Sequence, residues 1–262
     1  MRSVTSKDGT TIAFDQWGAG PVVILVDGAL QYRAFDQGMV QLAELLSQHF
    51  TVIHYDRRGR GDSTDTQPYA LAREIEDIEA LIDETGGSAS LYGISSGAAL
   101  AMEAAIALPN KVKKLAMYEA PYNSDKAVQQ AWKEYRKQLT ELLAADRRGD
   151  AAALFMKSVG TPDDQVDGMR HAPIWPMFEA VAPTLAYDAA ALGEDRSIPI
   201  KRAARVIVPA LVMNGTVIPF MLATAQALAN AIPQAQHRTL DGQPHDVNLE
   251  VLAPVLVEFF SG

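Results

Sequence analysis

A serine between two glycines is the first residue whose setting suggests chemistry. Gly93-Ile94-Ser95-Ser96-Gly97 matches the pattern G-x-S-x-G and falls between a run typical of a strand and an Ala-rich stretch typical of a helix. Because glycine has no Cβ, the chain can turn sharply there and hold the Ser95 hydroxyl at the end of the strand. The alternative is a serine that only caps the helix. The strand-turn-helix setting favours Ser95 as a nucleophile.

A nucleophilic serine needs a base, and the chain has five histidines: His49, His54, His171, His237 and His245. His49 ends a predicted helix and His54 lies within a predicted strand, so both are interpreted as structural. His245 lies in a loop after the last predicted strand, at the sheet edge where α/β folds assemble their active sites. We therefore predict His245 as the general base, against the alternative of an ordinary surface histidine.

Alternating strands and helices must position these two side chains. Strands are predicted at 2–6, 11–17, 21–26, 51–55, 88–94, 114–118, 210–214 and 237–240, and helices at 37–48, 72–84, 96–108, 219–231 and 248–260. Continuous β-branched runs such as 22–26 are typical of strands buried on both faces. The alternation predicts an α/β fold with a doubly wound, mostly parallel sheet.

The alternation stops between residues 122 and 200. This stretch has no strand candidate and four helical ones, at 124–145, 151–159, 165–171 and 178–192. We predict a helical cap (122–200) inserted into an α/β core made of residues 1–121 and 201–262.

Composition argues against several classes of function. The 262 residues carry a formal net charge of −9, which disfavours a nucleic acid or an anionic membrane surface as partner. The absence of cysteine excludes disulfides and a thiolate nucleophile. No spacing of histidines and carboxylates indicates a metal, and Gly18-Ala19-Gly20 precedes a strand instead of opening a helix, so no cofactor is expected. With no apolar leader or membrane-length run, we expect a cytoplasmic protein.

Together these motifs resemble the α/β-hydrolase family over nearly the whole chain. The resemblance is carried by the turn Asp27-Gly28-Ala29, by Asp56-Arg57-Arg58-Gly59-Arg60-Gly61-Asp62-Ser63 (similar to the family's D-x-R-G-x-G-x-S), by the turn at Ser95, and by Gly-x-x-His at His245. It implies an oxyanion hole formed by the backbone N–H of Ser96 and one from Gly28 or Ala29. Asp27 stands where many relatives have histidine. The second motif carries three arginines, Arg57, Arg58 and Arg60, and is interpreted as a solvated loop.

The acid of the expected triad is not in the family's usual place. Most members have an aspartate shortly after the strand that here is 211–214, but this chain reads Gly215-Thr216-Val217-Ile218-Pro219. Glu119, at the end of the strand that follows the nucleophile helix, is the predicted replacement. Some α/β-hydrolases take their acid from this position, and here the resemblance is to the zearalenone-type lactonases. They share the Asp-Gly turn, a Ser-Ser-Gly-Ala turn like 95–98, and a Glu-x-Pro like 119–121.

Other carboxylates compete with Glu119 for this role. Asp241 and Asp246 are close to His245 in sequence, and Asp195 lies at the end of the predicted cap. Glu119 itself could instead be a strand-end carboxylate that only shapes the cap entrance.

Aromatic and apolar side chains predict what the site binds. The cap offers Trp175 and Phe178, and the core side offers Leu30, Tyr32 and Tyr122. Each of them singly could serve only to pack the cap onto the core. Together they predict a small-molecule ester or lactone of apolar character as the partner. The sequence makes no prediction of oligomeric state.

The predicted chemistry is acyl transfer to water through an acyl-enzyme on Ser95, with His245 as base. A serine nucleophile disfavours the dehalogenase and epoxide-hydrolase branches of the family, which use aspartate. Two alternatives stay open: a lyase, cyclase or perhydrolase on the same scaffold, and a catalytically silent ligand-binding protein.

Overall fold

An eight-stranded sheet is the frame of the protein, whose computed structural model describes all residues from Met1 to Gly262. The strands are β1 (Arg2–Thr5), β2 (Thr11–Trp17), β3 (Val22–Val26), β4 (Thr51–Tyr55), β5 (Ala89–Ile94), β6 (Val112–Tyr118), β7 (Ala210–Gly215) and β8 (Ala235–Leu240). Their spatial order is β1-β2-β4-β3-β5-β6-β7-β8. The pairs β1–β2 and β2–β4 are antiparallel and all others are parallel. The predicted fold class is confirmed.

Helices cover both faces of this sheet. The helices that alternate with the strands are α1 (Gln37–Leu46), α2 (Leu71–Glu84), α3 (Ser96–Ala107), α10 (Pro219–Ala231) and α11 (Leu249–Ser261). Side chains from α1 and α11 form one apolar core, and α2, α3 and α10 contribute to the other. Successive residues of a strand point to opposite faces, so Ile24 of β3 joins one core and Leu25 the other.

The α3 helix places the predicted nucleophile. Its residues from Ser96 to Ala105 are all buried. Five of them are alanines, whose small side chains let α3 pack closely against β5, β6 and the helix at Leu185–Leu192. A helix buried on every side is apolar all round rather than amphipathic. Ser95, directly before α3, is therefore held by a rigid core element.

Six helices lie between β6 and β7. They are α4 (Lys126–Ala144), α5 (Arg148–Ser158), α6 (Asp163–Arg170), α7 (Trp175–Val181), α8 (Leu185–Leu192) and α9 (Ile200–Ala203). The single helix predicted at 178–192 is in fact α7, a 3-10 turn (Ala182–Thr184) and α8. Pro183 in the turn has no N–H to continue a regular ladder. The division into a core and a 122–200 cap stays a prediction.

The interpretation of the arginine-rich turn as a solvated loop is wrong. Arg57, Arg58 and Arg60 are each 0–1% exposed. Their guanidinium groups pair with buried carboxylates from two helices, namely Glu74 and Asp77 of α2 and Asp188 of α8. A buried guanidinium is stable only with such partners. Glu74 and Asp77 lie 17 and 19 positions from their arginines, whereas Asp188 lies 131 and 128 positions from Arg57 and Arg60.

Candidate active site

The turn that follows β5 holds Ser95 in an unusual backbone conformation. Its φ and ψ are 57° and −130°, a region that costs a non-glycine residue energy and that occurs often at functional sites. The Ser95 N–H donates to the Tyr118 carbonyl at 3.0 Å. A Cβ on Gly97 would lie 2.2 Å from the Val26 carbonyl oxygen, so only glycine fits there. Ser95 is half-buried at the end of the strand.

The side chains of Glu119 and His245 are in contact. Oε2 of Glu119 lies 2.7 Å from Nδ1 of His245, and Oε1 accepts a hydrogen bond of 2.9 Å from the Gly215 N–H. The Glu119 side chain is fully buried, whereas 40% of the His245 side chain is exposed. A carboxylate at Nδ1 fixes the proton there and leaves Nε2 as the acceptor nitrogen. Glu119 also has a positive φ, 46°.

The sheet brings these residues to one edge. The strands β5, β6, β7 and β8 are neighbours in that order. Ser95 follows β5, Glu119 follows β6, Gly215 ends β7, and His245 lies in the loop after β8. Because parallel strands end at the same edge, all four lie at one side of the sheet. Glu119 reaches past the end of β7 to contact His245.

In many relatives the segment after β7 carries the aspartate. Here it binds the loop at 241–248 that carries His245 (the histidine loop). The N–H groups of Thr216 and Val217 donate to the Gln243 carbonyl at 3.1 and 3.4 Å. A Cβ on Gly215 would lie 2.0 Å from the same carbonyl oxygen. The backbone of the histidine loop therefore packs directly against the end of β7.

Tyr118 is a supporting residue that the sequence reasoning missed. Its hydroxyl donates a 2.6 Å hydrogen bond to the Pro244 carbonyl, next to His245. Burial raises the pKa of Tyr118, with the nearby Glu119 charge adding to the effect, so the hydroxyl stays a donor. Only the fold shows this contact, because its acceptor is a backbone carbonyl with no sequence signature.

The three predicted oxyanion residues, Gly28, Ala29 and Ser96, are not equivalent. A Cβ on Gly28 would come within 3.0 Å of Ser95 Cβ. The Gly28 N–H already donates to Gln31 Oε1 at 2.7 Å. The Ala29 N–H makes no hydrogen bond, and Ser96, as the first residue of α3, has an N–H outside the helical ladder. Ala29 and Ser96 are thus the N–H groups available to an oxyanion.

Asp27, unexplained by the sequence, pairs with His54 of β4. The Nε2 atom lies 3.1 and 2.9 Å from the two carboxylate oxygens, and both residues are fully buried. Burial by itself would lower the pKa of His54, but the charge and hydrogen bond of Asp27, together with the charges of Asp36 and Asp56, outweigh it and the pKa is raised. The pair holds Asp27, the first residue of the turn at 27–31 (the predicted oxyanion turn), against β4.

The competing carboxylates lie elsewhere. Asp241 and Asp246 are exposed, and Asp195 accepts a hydrogen bond from the Ser197 N–H at 3.0 Å. None of the three contacts His245, whose only carboxylate partner is Glu119.

Three of the five predicted substrate-binding residues join one aromatic row. Tyr32 stacks on Phe35 with ring centroids 5.7 Å apart, and Phe35 meets Phe178 edge-on at 5.2 Å. Phe178 in turn meets Trp175 at 6.0 Å. Phe35, missed at the sequence level, therefore links the core to α7.

The other two predicted substrate-binding residues are not part of the aromatic row but belong to the same apolar core. Leu30 is buried in the oxyanion turn with a positive φ of 63°. Tyr122 is also buried, and its carbonyl accepts a hydrogen bond from Thr224 at 2.9 Å.

Other features of the surface do not extend this site. A polar cavity of about 350 Å³ on the inserted helices is lined by Asp146, Arg147, Arg148, Gly149, Asp150, Arg170 and Glu179, none of them a predicted site residue. No group of three or more histidines and carboxylates is placed to hold a metal ion. None of the helices is both long and apolar enough to cross a membrane.

Comparisons with known proteins identify the family and the fold. A profile of the alpha/beta hydrolase family matches residues 18–255. An alpha/beta hydrolase of Sphaerobacter thermophilus is 50% identical, with a TM-score of 0.87 over 99% of this chain and 100% of that one. A hydrolase of Pseudomonas aeruginosa has a TM-score of 0.76 at 24% identity over 100% of this chain and 98% of that one, which shows the shared fold.

A curated relative matches only a segment. "Probable oxidoreductase EphD" of Mycobacterium tuberculosis is 36% identical over 88 residues, which are 32% of this chain and 14% of that protein. The chain thus spans a small part of that relative's length. The family profile and the Sphaerobacter structure, by contrast, cover most of the chain and confirm the prediction of an enzyme of the α/β-hydrolase type. The chain belongs to the alpha/beta hydrolase family.

Proposed function

We propose that this protein is a serine hydrolase that cleaves an ester or lactone of an apolar small molecule. Ser95 is the nucleophile, His245 the general base, and Glu119 the acid that orients it. The observation that carries the proposal is the 2.7 Å contact between Glu119 and His245 at the sheet edge where Ser95 follows β5.

Glu119 suits the role of the acid for two reasons. Its carboxylate is buried and held by the Gly215 N–H, so it presents a fixed oxygen to His245 Nδ1. A carboxylate in that position fixes the tautomer and stabilises the imidazolium that forms during the reaction. This arrangement also fits the resemblance to zearalenone-type lactonases, which rests on the Glu-x-Pro after β6.

The reaction divides into two acyl transfers. His245 Nε2 takes the Ser95 proton while the serine oxygen attacks the carbonyl carbon, and the N–H groups of Ser96 and Ala29 stabilise the oxyanion. Collapse breaks the ester bond, and the imidazolium gives its proton to the leaving alkoxide. A water molecule then attacks the acyl-enzyme with His245 as base, which releases the acid and restores the Ser95 hydroxyl.

The preference for an apolar, uncharged substrate rests on two observations, the aromatic row and the pairing of the buried arginines. The aromatic row from Tyr32 to Trp175 offers ring faces and edges. Arg57 and Arg60 near the oxyanion turn are fully buried and already paired with carboxylates, so they offer no free charge to an anionic substrate.

A panel of p-nitrophenyl esters and aryl lactones, assayed with the wild type and Ser95→Ala in ¹⁸O-labelled water, tests the proposal. We expect hydrolysis by the wild type only, with one solvent oxygen in each product acid. Turnover without solvent oxygen in the product would assign a lyase, cyclase or acyl-transfer reaction instead. Equal turnover by Ser95→Ala would reject Ser95 as the nucleophile.

A further inference from the structure

A buried carboxylate of the inserted helices contacts the turn that carries the nucleophile. Asp188 of α8 is 4% exposed, and its Oδ1 accepts a 2.8 Å hydrogen bond from the Ser96 hydroxyl. The two residues are 92 positions apart in the chain. Ser96 also supplies one of the two backbone N–H groups proposed above for the oxyanion hole. Asp188 therefore holds one side of the oxyanion hole through a side chain that makes no contact with Ser95.

The same carboxylate holds the other side through two arginines. Oδ1 of Asp188 lies 2.5 Å from Arg57 Nη1, and Oδ2 lies 2.8 Å from Arg60 Nη2. Arg57 donates in turn to the Asp27 carbonyl at 3.2 Å. Arg60 donates to the carbonyl of Gly28 and, at 3.1 Å, to that of Gln31. These carbonyls flank Ala29, whose N–H is the second donor.

Asp188 is hard to replace within this network. Arg57 has a second carboxylate partner, because Glu74 binds it with two bonds of 2.7 and 2.9 Å. Arg60 has none, since its other side-chain contact is the Thr184 hydroxyl at 3.0 Å. Burial would raise the pKa of Asp188, but the charges of Arg60 and Arg57 outweigh it and keep the group ionised. The Asp188 carboxylate thus orients three side-chain donors, the Ser96 hydroxyl and the guanidinium groups of Arg57 and Arg60.

We propose that Asp188 is a positioning residue that fixes the positions of both N–H donors of the oxyanion hole. Catalysis then depends on the packing of α8 against the core. This inference rests on the proposed serine-hydrolase function. Asp188 contributes no atom to the reaction and acts through Ser96, Arg57 and Arg60. An oxyanion hole works because its donors are fixed before the charge develops, so a small shift of either N–H weakens transition-state binding more than substrate binding.

The simpler alternative is that Asp188 only stabilises the fold, as buried ion pairs often do. The chain offers a matched control for that role. Asp77 is also a buried carboxylate, and it binds Arg58 of the same turn with two bonds of 2.8 Å. Neither Asp77 nor Arg58 contacts Ser96 or the 27–31 turn. Asp77→Asn should lower stability without changing the oxyanion hole.

Three variants, Ser96→Ala, Asp188→Asn and Asp77→Asn, separate the two roles. Ser96→Ala keeps the charge network and the backbone N–H, and it removes only the hydroxyl that Asp188 holds. It remains informative if Asp188→Asn fails to fold. Each variant is assayed with p-nitrophenyl acetate, with an aryl boronic acid that forms a tetrahedral adduct on Ser95, and by thermal unfolding.

We expect Ser96→Ala and Asp188→Asn to lower kcat by about 10- to 100-fold with KM nearly unchanged. The Kd of the boronic acid should rise by the same factor as kcat falls, and Asp77→Asn should change only the Tm. Unchanged kcat and boronate affinity in Ser96→Ala and Asp188→Asn would overturn the inference and leave the proposed function standing. A wild type that neither hydrolyses the ester nor binds the boronic acid would overturn both.

Discussion

Glu119 and His245 lie 126 positions apart in the chain, yet their side chains meet at 2.7 Å across the end of β7. The strand β7 ends in Gly215, which donates its N–H to the glutamate, and a side chain there would collide with the Gln243 carbonyl of the loop that carries His245. In most members of the family the acid is an aspartate on the loop after β7. Here that loop holds the histidine loop by backbone hydrogen bonds, and the carboxylate comes from β6.

Glu119→Gln tests the acid. The amide keeps the size of the side chain but has no charge to stabilise the imidazolium, so kcat should fall by about 1,000- to 10,000-fold. Steady-state kinetics on an activated ester measure this. Asp241→Asn and Asp246→Asn are the controls, and both should keep kcat within about twofold of the wild type because exposed side chains seldom contribute. A normal kcat in Glu119→Gln together with a collapse in either control would assign the acid elsewhere.

Tyr118→Phe removes the hydroxyl that holds the Pro244 carbonyl. The loss of this half-buried hydrogen bond should lower the free energy of unfolding by about 1 kcal/mol. It should also lower kcat several-fold, because the loop that carries His245 loses a fixed contact. Urea unfolding and kinetics check the two effects. Tyr92→Phe, at a buried tyrosine of β5 whose hydroxyl makes no hydrogen bond to this loop, is the control. Equal kcat in the two variants would show that the Tyr118 hydroxyl does not position His245.

The pair of His54 and Asp27 predicts a pH dependence of stability. The pKa of His54 is raised in the folded protein relative to the ordinary value. The stabilisation is therefore complete below the unfolded-state pKa, at about 6.5, and is lost as pH rises through the higher folded-state pKa. The difference in the free energy of unfolding between the wild type and His54→Gln should be largest near about pH 6 and should shrink towards about pH 9. A difference that grows with pH would contradict the pairing.

The aromatic row predicts a selective effect on substrate binding. Phe178→Ala removes the ring that links Phe35 to Trp175. It should raise KM for esters with bulky acyl groups by about 10-fold and leave KM for p-nitrophenyl acetate nearly unchanged. Trp175→Ala should act in the same direction. Phe259→Ala, at a phenylalanine of α11 in a groove lined by strand residues Lys114 and Leu211, is the control. Equal effects on bulky and small esters would remove the row from the binding site.

Sequence periodicity predicted the frame closely because buried strands and helices leave local patterns. The predicted bounds of β2, β4 and α10 agree with the structure. The helix at 178–192 was predicted as one piece, because a three-residue 3-10 turn is too short to leave a periodic pattern of its own. The four-residue α9 was missed, because an element that short has no period to read.

The site residues that follow strand ends could be predicted from the sequence. Ion pairs between residues that are far apart in the sequence could not. The sequence predicted that Glu119 and His245 would act together, and the structure brings their side chains into contact. The burial of Arg57 and Arg60 was missed because their partner Asp188 lies 131 and 128 positions away. Long-range charge pairing leaves no local pattern.

Covalent labelling of Ser95 by a fluorophosphonate probe tests the central claim most directly, because it reports an activated serine without any assumption about the substrate. Intact mass and peptide mapping should show one label per chain on Ser95, none in Ser95→Ala, and much slower labelling in His245→Ala. A folded wild type that stays unlabelled, or a His245→Ala variant labelled as fast as the wild type, would contradict the activation of Ser95 by His245.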